Sequence, residues 1–230
     1  MSRQLLVWRH GRTEWNARGL AQGQADVDLD DTGRAQARQV APWVARYAPA
    51  RIVSSDLRRA RYTASVLAEL TGLTVTCDDR LREFDVGARQ GLTTAETFAA
   101  FPEQMAAWQR GEEARFGDSE TLVEAASRFA AALADVAAAT AEHEVSVVVS
   151  HGGAMRVGIC AWLELPQSVW GRFGGFENCR WAVLHERVSR PGHWRLTDWN
   201  AGATPQWDAG VSHEVTPSGP ADSAPSADDA

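Results

Sequence analysis

The sequence contains no lysine, and all 23 of its basic residues are arginine. This absence excludes a Walker-type P-loop and Schiff-base chemistry, because both depend on a lysine side chain. The positive charge that remains is guanidinium, which can bind two oxygens of one phosphate group. Any phosphate group that this chain binds is therefore expected to be held by arginine.

Cysteine is scarce and long apolar segments are absent. The three cysteines, Cys77, Cys160 and Cys179, form no CxxC pair, which argues against a disulfide framework or a zinc site and favours a reducing compartment. No stretch of about 18 apolar residues is present, and the first residues lack the apolar region of a secretory signal. We therefore expect a cytoplasmic protein without a membrane segment.

Negative charge is concentrated at the C-terminal end of the chain. Residues 201–230 contain five acidic residues and no basic one, so the first 200 residues carry a net charge of −2 out of the total of −7. This balance offers no basic face for nucleic acid. Residues 203–230 are rich in Ala, Pro, Ser and Asp and have little to bury. We predict that they form a disordered acidic tail after one domain, residues 1–202.

Patterns typical of strands and helices alternate along the domain. Short apolar runs predict strands at residues 5–8, 51–54, 73–77, 145–149, 179–185 and 193–199. Helical spacing predicts helices at residues 32–47, 56–70, 93–100, 102–110, 121–141 and 154–165. Asp56 is expected to cap the second helix and Gly72 to end it, and a turn at 190–192 is expected between the last two strands. The alternation predicts an α/β fold, a three-layer α/β/α sandwich with a mostly parallel sheet and an antiparallel edge.

Histidine and arginine residues directly follow three of the predicted strands, in the segments 9–11, 54–59 and 150–153. Ligands of open α/β sheets bind at the carboxyl ends of the strands, so these segments are expected to meet at one edge. Phosphoryl transfer needs positive groups around the phosphoryl oxygens and a nucleophile in line with the leaving group. A single histidine after a strand is more often structural, and that alternative stays open at this point.

The segment Arg9-His10-Gly11-Arg12-Thr13-Glu14-Trp15-Asn16 resembles the signature of the histidine phosphatase superfamily, which includes phosphoglycerate mutase. The resemblance continues in the same order through the rest of the domain. The further blocks are Gln22-Gly23, Thr32-Gly33, Ser54-Ser55-Asp56-Leu57-Arg58-Arg59-Ala60, Leu81-Arg82-Glu83 and Ser150-His151-Gly152-Gly153.

The resemblance implies a phosphoglycerate mutase-like fold and a set of site residues. His10 corresponds to the nucleophile, and neighbouring arginines are expected to lower its pKa and keep it neutral. Arg9 and Arg59 correspond to the residues that hold the phosphoryl oxygens, and His151 completes that pocket. Glu83 corresponds to the proton donor, which needs a raised pKa. Substrate contacts are implied for Asn16, Gln22, Gly23 and Gly152. No metal or other cofactor is implied, because arginines supply the positive charge.

Three functions are compatible with this resemblance. Mutases of the superfamily carry a longer basic, proline-rich loop, whereas residues 103–118 here are short and mixed in charge, which favours hydrolysis by water. Within the phosphatases, Gln90-Gly91-Leu92-Thr93 and Trp194-Arg195-Leu196 resemble the glucosyl-3-phosphoglycerate phosphatase group.

We therefore expect a phosphomonoester hydrolase acting on a small phosphorylated metabolite such as glucosyl-3-phosphoglycerate. Arg12 or Arg58 is a candidate to bind its carboxylate. The alternatives are a phosphoglycerate mutase-type phosphotransferase and a non-catalytic phosphometabolite-binding protein. The sequence leaves open whether the chain forms a homodimer.

Overall fold

Six strands form one mixed sheet in the computed structural model, which describes residues 2–110 and 112–202. The strands are β1 Gln4–Arg9, β2 Arg51–Ser54, β3 Val75–Cys77, β4 Val145–Ser150, β5 Trp181–Arg187 and β6 Arg190–Ala201. The helices are α1 Glu14–Ala17, α2 Asp31–Ala45, α3 Arg58–Thr71, α4 Thr94–Ala100, α5 Pro102–Gln109, α6 Leu122–Ala139 and α7 Gly152–Trp162. Short 3-10 helices lie at Asp79–Leu81, Gly87–Arg89 and Gln167–Arg172.

The strands lie in the order β3-β2-β4-β1-β5-β6. The first four in this order run parallel, whereas β5 is antiparallel to β1 and β6 is antiparallel to β5. Every residue of β4 is buried, as expected for a strand that is covered on both faces. The predicted sheet, mostly parallel with an antiparallel edge, is confirmed.

Alternate residues of the central strands pack against opposite helical layers. On β1, Leu6 and Trp8 belong to a core with α2 and α3, whereas Leu5 and Val7 belong to a core with α6 and α7. This alternation follows from the two-residue period of a strand. It confirms the three-layer α/β/α sandwich. The strand order places the carboxyl ends of β2, β4 and β1 side by side, and the candidate site lies there.

The start of α3 differs from the sequence-based prediction. The N-cap is Leu57 rather than Asp56, and no side chain caps the helix. The Asp56 carboxylate instead accepts a charge-assisted hydrogen bond of 2.7 Å from Nε of Arg82, which is 26 residues further along the chain. Gly72 ends α3 in the left-handed region, with φ of 71°, as predicted.

Several other boundaries differ by a few residues from the sequence-based predictions. The turn between β5 and β6 lies at 188–189, so Pro191 and Gly192 are inside β6, an edge strand, where proline is tolerated. Helix α7 begins at Gly152, two residues earlier than predicted, and ends at Trp162. No helix in the described part of the chain is long and apolar enough to cross a membrane. The predicted acidic tail, 203–230, lies outside the described residues.

Candidate active site

His10 lies at the carboxyl end of β1 and is almost completely buried, with 2% of its surface exposed. Its Nδ1 lies 2.6 Å from the carbonyl oxygen of Gly11. Because a carbonyl oxygen only accepts, Nδ1 carries the ring proton and Nε2 keeps its lone pair. The pKa of His10 lies well below its ordinary value because the ring is buried and the guanidinium groups of Arg59 and Arg9 repel a positive charge. The imidazole is therefore neutral, as the sequence predicts, and Nε2 has the free lone pair that a nucleophile needs.

The loop after β1 is fixed by close contact with α2 and α3. A Cβ atom on Gly11 would lie 2.4 Å from the carbonyl oxygen of Gly33 in α2, so only glycine allows this approach. The amide of Gly11 donates to Oγ1 of Thr63 in α3, at 3.1 Å. These contacts hold the segment next to His10 in place without using its imidazole.

Arg59 lies in the first turn of α3 and is 1% exposed. Its guanidinium donates from Nε to Nδ1 of His151 at 3.1 Å, from Nη1 to the carbonyl of Ala25 at 2.6 Å and from Nη2 to that of Gly23 at 2.8 Å. Burial lowers the pKa of Arg59 to about 10, against the opposing charge of Glu83, so it stays charged at neutral pH. Each terminal nitrogen retains a second N–H, which can point to a phosphoryl oxygen.

His151 follows β4 directly and is fully buried, with its ring centroid 5.0 Å from that of His10. Its pKa lies well below the ordinary value, chiefly because of burial and then because of Arg59. Nδ1 accepts from Arg59, so in the neutral ring Nε2 carries the proton, which it donates to Oγ of Ser55 at 2.9 Å. The structure brings His151 next to His10, and sequence reasoning gave Ser55 no part in orienting it.

Arg9 lies next to Gly152, the first residue of α7. Arg9 donates from Nη1 to the carbonyl of Phe176. A Cβ atom on Gly152 would lie 3.2 Å from Nε of Arg9, so the missing side chain leaves room for this guanidinium. Arg9 thus lies between the end of β1 and the N-terminus of α7, close enough to His10 to act on its charge.

Glu83 is held at the N-terminus of α7. Its carboxylate accepts hydrogen bonds from the backbone amides of Phe84 at 3.0 Å, Gly153 at 3.0 Å and Ala154 at 2.7 Å. The positive end of the helix favours an acidic side chain at this position. The side chain is half-buried and its charge acts on Arg59, so it belongs to the same site.

Of the three remaining candidates, Asn16 lies in α1, whereas Gln22 and Gly23 lie in the loop between α1 and α2. Asn16 is buried, and its Oδ1 accepts from the amide of Thr13 at 3.1 Å. Gln22 is 8% exposed, and its Oε1 has no hydrogen-bond partner among the described residues. Gly23 has φ of 52° and directs its carbonyl to Arg59, and a Cβ there would lie 2.5 Å from the side chain of Val86. Gly23 therefore helps to fix the guanidinium of Arg59 through its backbone carbonyl.

Asn178, which sequence reasoning missed, connects the end of β1 to α1. Its Nδ2 donates to the carbonyl of His10 at 3.1 Å and to Oδ1 of Asn16 at 3.3 Å. It lies just before β5, and nothing in its sequence position indicates this role.

Arg12 and Arg58, the candidates for a substrate carboxylate, are already neutralised. Arg12 Nε lies 2.8 Å from the Asp30 carboxylate. Arg58 is paired with Asp26 at 3.1 Å and Asp28 at 3.0 Å. The expectation that either arginine is spare for a substrate was wrong, because acidic side chains of the loop before α2 satisfy both.

The site therefore combines two neutral imidazoles and two guanidinium groups at the ends of three adjacent strands with a carboxylate at the N-terminus of α7. Among the described residues, no group of three or more His, Cys, Asp or Glu side chains is arranged to hold a metal ion. This arrangement can bind a phosphoryl group through arginine and attack it through Nε2 of His10.

Comparison with known proteins gives consistent matches. The sequence pattern of the histidine phosphatase superfamily, branch 1, matches residues 5–202. A glucosyl-3-phosphoglycerate phosphatase of Mycolicibacterium vanbaalenii is 39% identical over 216 residues, which are 87% of this chain and 96% of that protein. A solved structure of a mycobacterial glucosyl-3-phosphoglycerate phosphatase in complex with VO3 has a TM-score of 0.79 at 38% identity, covering 87% of this chain and 100% of that one. A probable phosphoglycerate mutase of Proteus mirabilis is 36% identical over 168 residues, 71% of this chain and 76% of that protein.

Proposed function

Because the chain belongs to the histidine phosphatase superfamily, branch 1, and is a phosphomonoester hydrolase, we propose that it works through a phosphohistidine on His10. The state of His10 carries this proposal. The ring is buried and neutral, its Nδ1 is tied to a carbonyl, and two guanidinium groups lower its pKa. Splitting one displacement into two steps through a covalent intermediate lowers the barrier of each.

In the first step, Nε2 of His10 attacks phosphorus as the ester P–O bond breaks. Arg9 and Arg59 stabilise the charge of the phosphoryl oxygens, and His151 completes the pocket by accepting a hydrogen bond from Nε of Arg59. The leaving alkoxide takes a proton from Glu83. In the second step, the Glu83 carboxylate removes a proton from water, the hydroxide attacks phosphorus, and the N–P bond breaks. Inorganic phosphate leaves, and His10 is neutral again.

The substrate proposal follows the relatives. We propose glucosyl-3-phosphoglycerate, or a similar phosphorylated metabolite, because a glucosyl-3-phosphoglycerate phosphatase is 39% identical over most of both chains. Phosphoryl return to product, as in a mutase, stays the alternative because a probable phosphoglycerate mutase is also similar. The short segment 103–118 favours hydrolysis, since a site open to water discharges the phosphohistidine to solvent. A cytoplasmic location stays a prediction from the sequence.

Two assays run side by side test this proposal. Glucosyl-3-phosphoglycerate should release inorganic phosphate in the presence of a chelator. Incubation of 3-phosphoglycerate with catalytic 2,3-bisphosphoglycerate should give little 2-phosphoglycerate. His10→Ala should abolish phosphate release, whereas His193→Ala, which removes an exposed histidine of β6, should not change it. Interconversion of the phosphoglycerates faster than phosphate release would reject the hydrolase and favour the mutase.

A further inference from the structure

Arg156 is a half-buried arginine of α7 that the proposed mechanism does not use. No described residue accepts a hydrogen bond from it or forms an ion pair with it. Burial lowers its pKa, and the nearby charge of Glu83 opposes this effect. A guanidinium that has lost part of its hydration without forming a hydrogen bond or an ion pair is costly, and such groups cluster at functional sites.

The position of Arg156 on α7 directs it toward the active site. It is four residues after Gly152, which faces Arg9, and three residues after Gly153, whose amide holds Glu83. Residues three and four apart share one face of a helix. Side chains of a helix lean toward its N-terminus, which directs Arg156 toward the turn whose amides hold Glu83, and the charges of the two side chains interact.

Comparison with the other arginines separates Arg156 from structural ones. Arg12 and Arg58 are paired with aspartates. Among the described residues, burial lowers the pKa of three arginines, namely Arg59, Arg89 and Arg156. Arg59 belongs to the phosphoryl pocket, and Arg89 lies over the ring of Phe116, 4.3 Å from its centroid, in a cation–π contact.

Glu83 fixes the side of the site on which Arg156 lies. In the proposed mechanism Glu83 protonates the leaving oxygen, so a group beside Glu83 is beside the leaving group rather than the phosphoryl group. A phosphoglycerate-type leaving group carries a carboxylate two carbon atoms from that oxygen. We propose that Arg156 binds this carboxylate and thereby selects phosphomonoesters with an acidic leaving group. The inference rests on the proposed function and adds the group that the substrate must carry.

Two ligands that differ in this one group test the proposal. 3-Phosphoglycerate has a carboxylate where glycerol 3-phosphate has a hydroxymethyl group. Each is added as a competitor of p-nitrophenyl phosphate hydrolysis, so its inhibition constant is measured whether or not it is hydrolysed. Arg156→Met should raise the constant for 3-phosphoglycerate about 30-fold, as expected for a lost charge-assisted bidentate contact, and leave glycerol 3-phosphate within about twofold.

Arg156→Lys keeps the charge but loses the planar fork, so it should raise the constant for 3-phosphoglycerate by about tenfold and leave glycerol 3-phosphate unchanged. This variant carries the test if Arg156→Met does not fold, as judged by its thermal melting. Arg61→Met, which removes one charge from the exposed face of α3, is the matched control and should change neither constant.

Equal effects on both ligands, or none on either, would overturn the proposal. A fall in kcat with both inhibition constants unchanged would also overturn it, because Arg156 would then act only on Glu83. Hydrolysis of p-nitrophenyl phosphate through His10 is read in the same assay, so failure of the proposed function is distinguished from failure of this inference.

Discussion

The two imidazole rings of the site have their tautomers set by different partners. His10 donates from Nδ1 to a backbone carbonyl, which leaves Nε2 for attack. His151 accepts at Nδ1 from Arg59, so its Nε2–H donates to Ser55. Both rings are neutral for the same reason, burial beside guanidinium groups, yet they do different work. The neighbour of Nδ1 therefore decides which ring keeps a free lone pair on Nε2, which the proposed mechanism needs for attack.

Ser55→Ala removes the acceptor of the His151 Nε2–H and leaves that buried donor without a partner. We expect kcat to fall about tenfold, because the ring loses one of its two fixed contacts, and stability to fall by about 1–2 kcal/mol. Ser54→Ala is the matched control. Ser54 is equally buried and donates to the carbonyl of Ser55, away from His151, so stability should fall while kcat is kept. Equal losses of kcat in both variants would contradict the role of Ser55 in orienting His151.

The lowered pKa values of His10 and His151 make stability depend on pH. Between the folded pKa and the unfolded value of about 6.5, the unfolded state binds more protons, so stability rises with pH and falls below about pH 6.5. Each histidine contributes a slope of up to about 1.4 kcal/mol per pH unit. Urea unfolding between pH 5 and 7.5 measures this slope.

His10→Gln should lower the slope by up to about 1.4 kcal/mol per pH unit, which corresponds to one proton. An unchanged slope in His10→Gln would show that His10 is not held neutral.

At the scale of secondary structure, the N-terminus of α7 organises the site from one side. Gly152 leaves space for Arg9, and the amides of Gly153 and Ala154 hold the Glu83 carboxylate. The helix can begin at Gly152 because this residue and Gly153 let the backbone approach Arg9 and the ring of Phe84 closely. One helix start therefore positions both a phosphoryl-binding group and the proposed proton donor.

Glu83→Gln tests the proposed proton donor. Glycerol 3-phosphate has a poor leaving group and should lose about 100-fold in kcat, whereas p-nitrophenyl phosphate needs little protonation and should lose less than about fivefold. The new amide NH2 faces backbone donors, so thermal melting is measured alongside. Glu96→Gln, at the N-terminus of α4, is the control because Glu96 also accepts from a backbone amide, that of Thr93. Equal losses of kcat on both substrates would show that Glu83 has a structural role and is not the proton donor.

At the scale of the whole molecule, the sheet order brings together residues that are far apart in sequence. Because β2, β4 and β1 are neighbours, the segments after them place Arg59, His151 and His10 at one edge. The sequence predicts this from apolar periodicity, since strand ends are visible without knowledge of pairing.

Contacts between distant segments have no such local signal. Asp56 pairs with Arg82 instead of capping α3, and the helix begins at Arg58. The hydrogen bonds of Asn178 link the segment before β5 to the carbonyl of His10. That no described residue forms a hydrogen bond or an ion pair with Arg156 is likewise visible only once every neighbouring segment is in place.

The most direct test of the account is to trap the phosphoenzyme. The protein is mixed with p-nitrophenyl phosphate for milliseconds, quenched in base, digested and mapped by mass spectrometry. The account predicts one added phosphoryl group on His10, stable in base and lost in acid, that forms before steady-state phosphate release and is absent in His10→Ala. Turnover without this adduct, or a phosphoryl group on His151 instead, would contradict it.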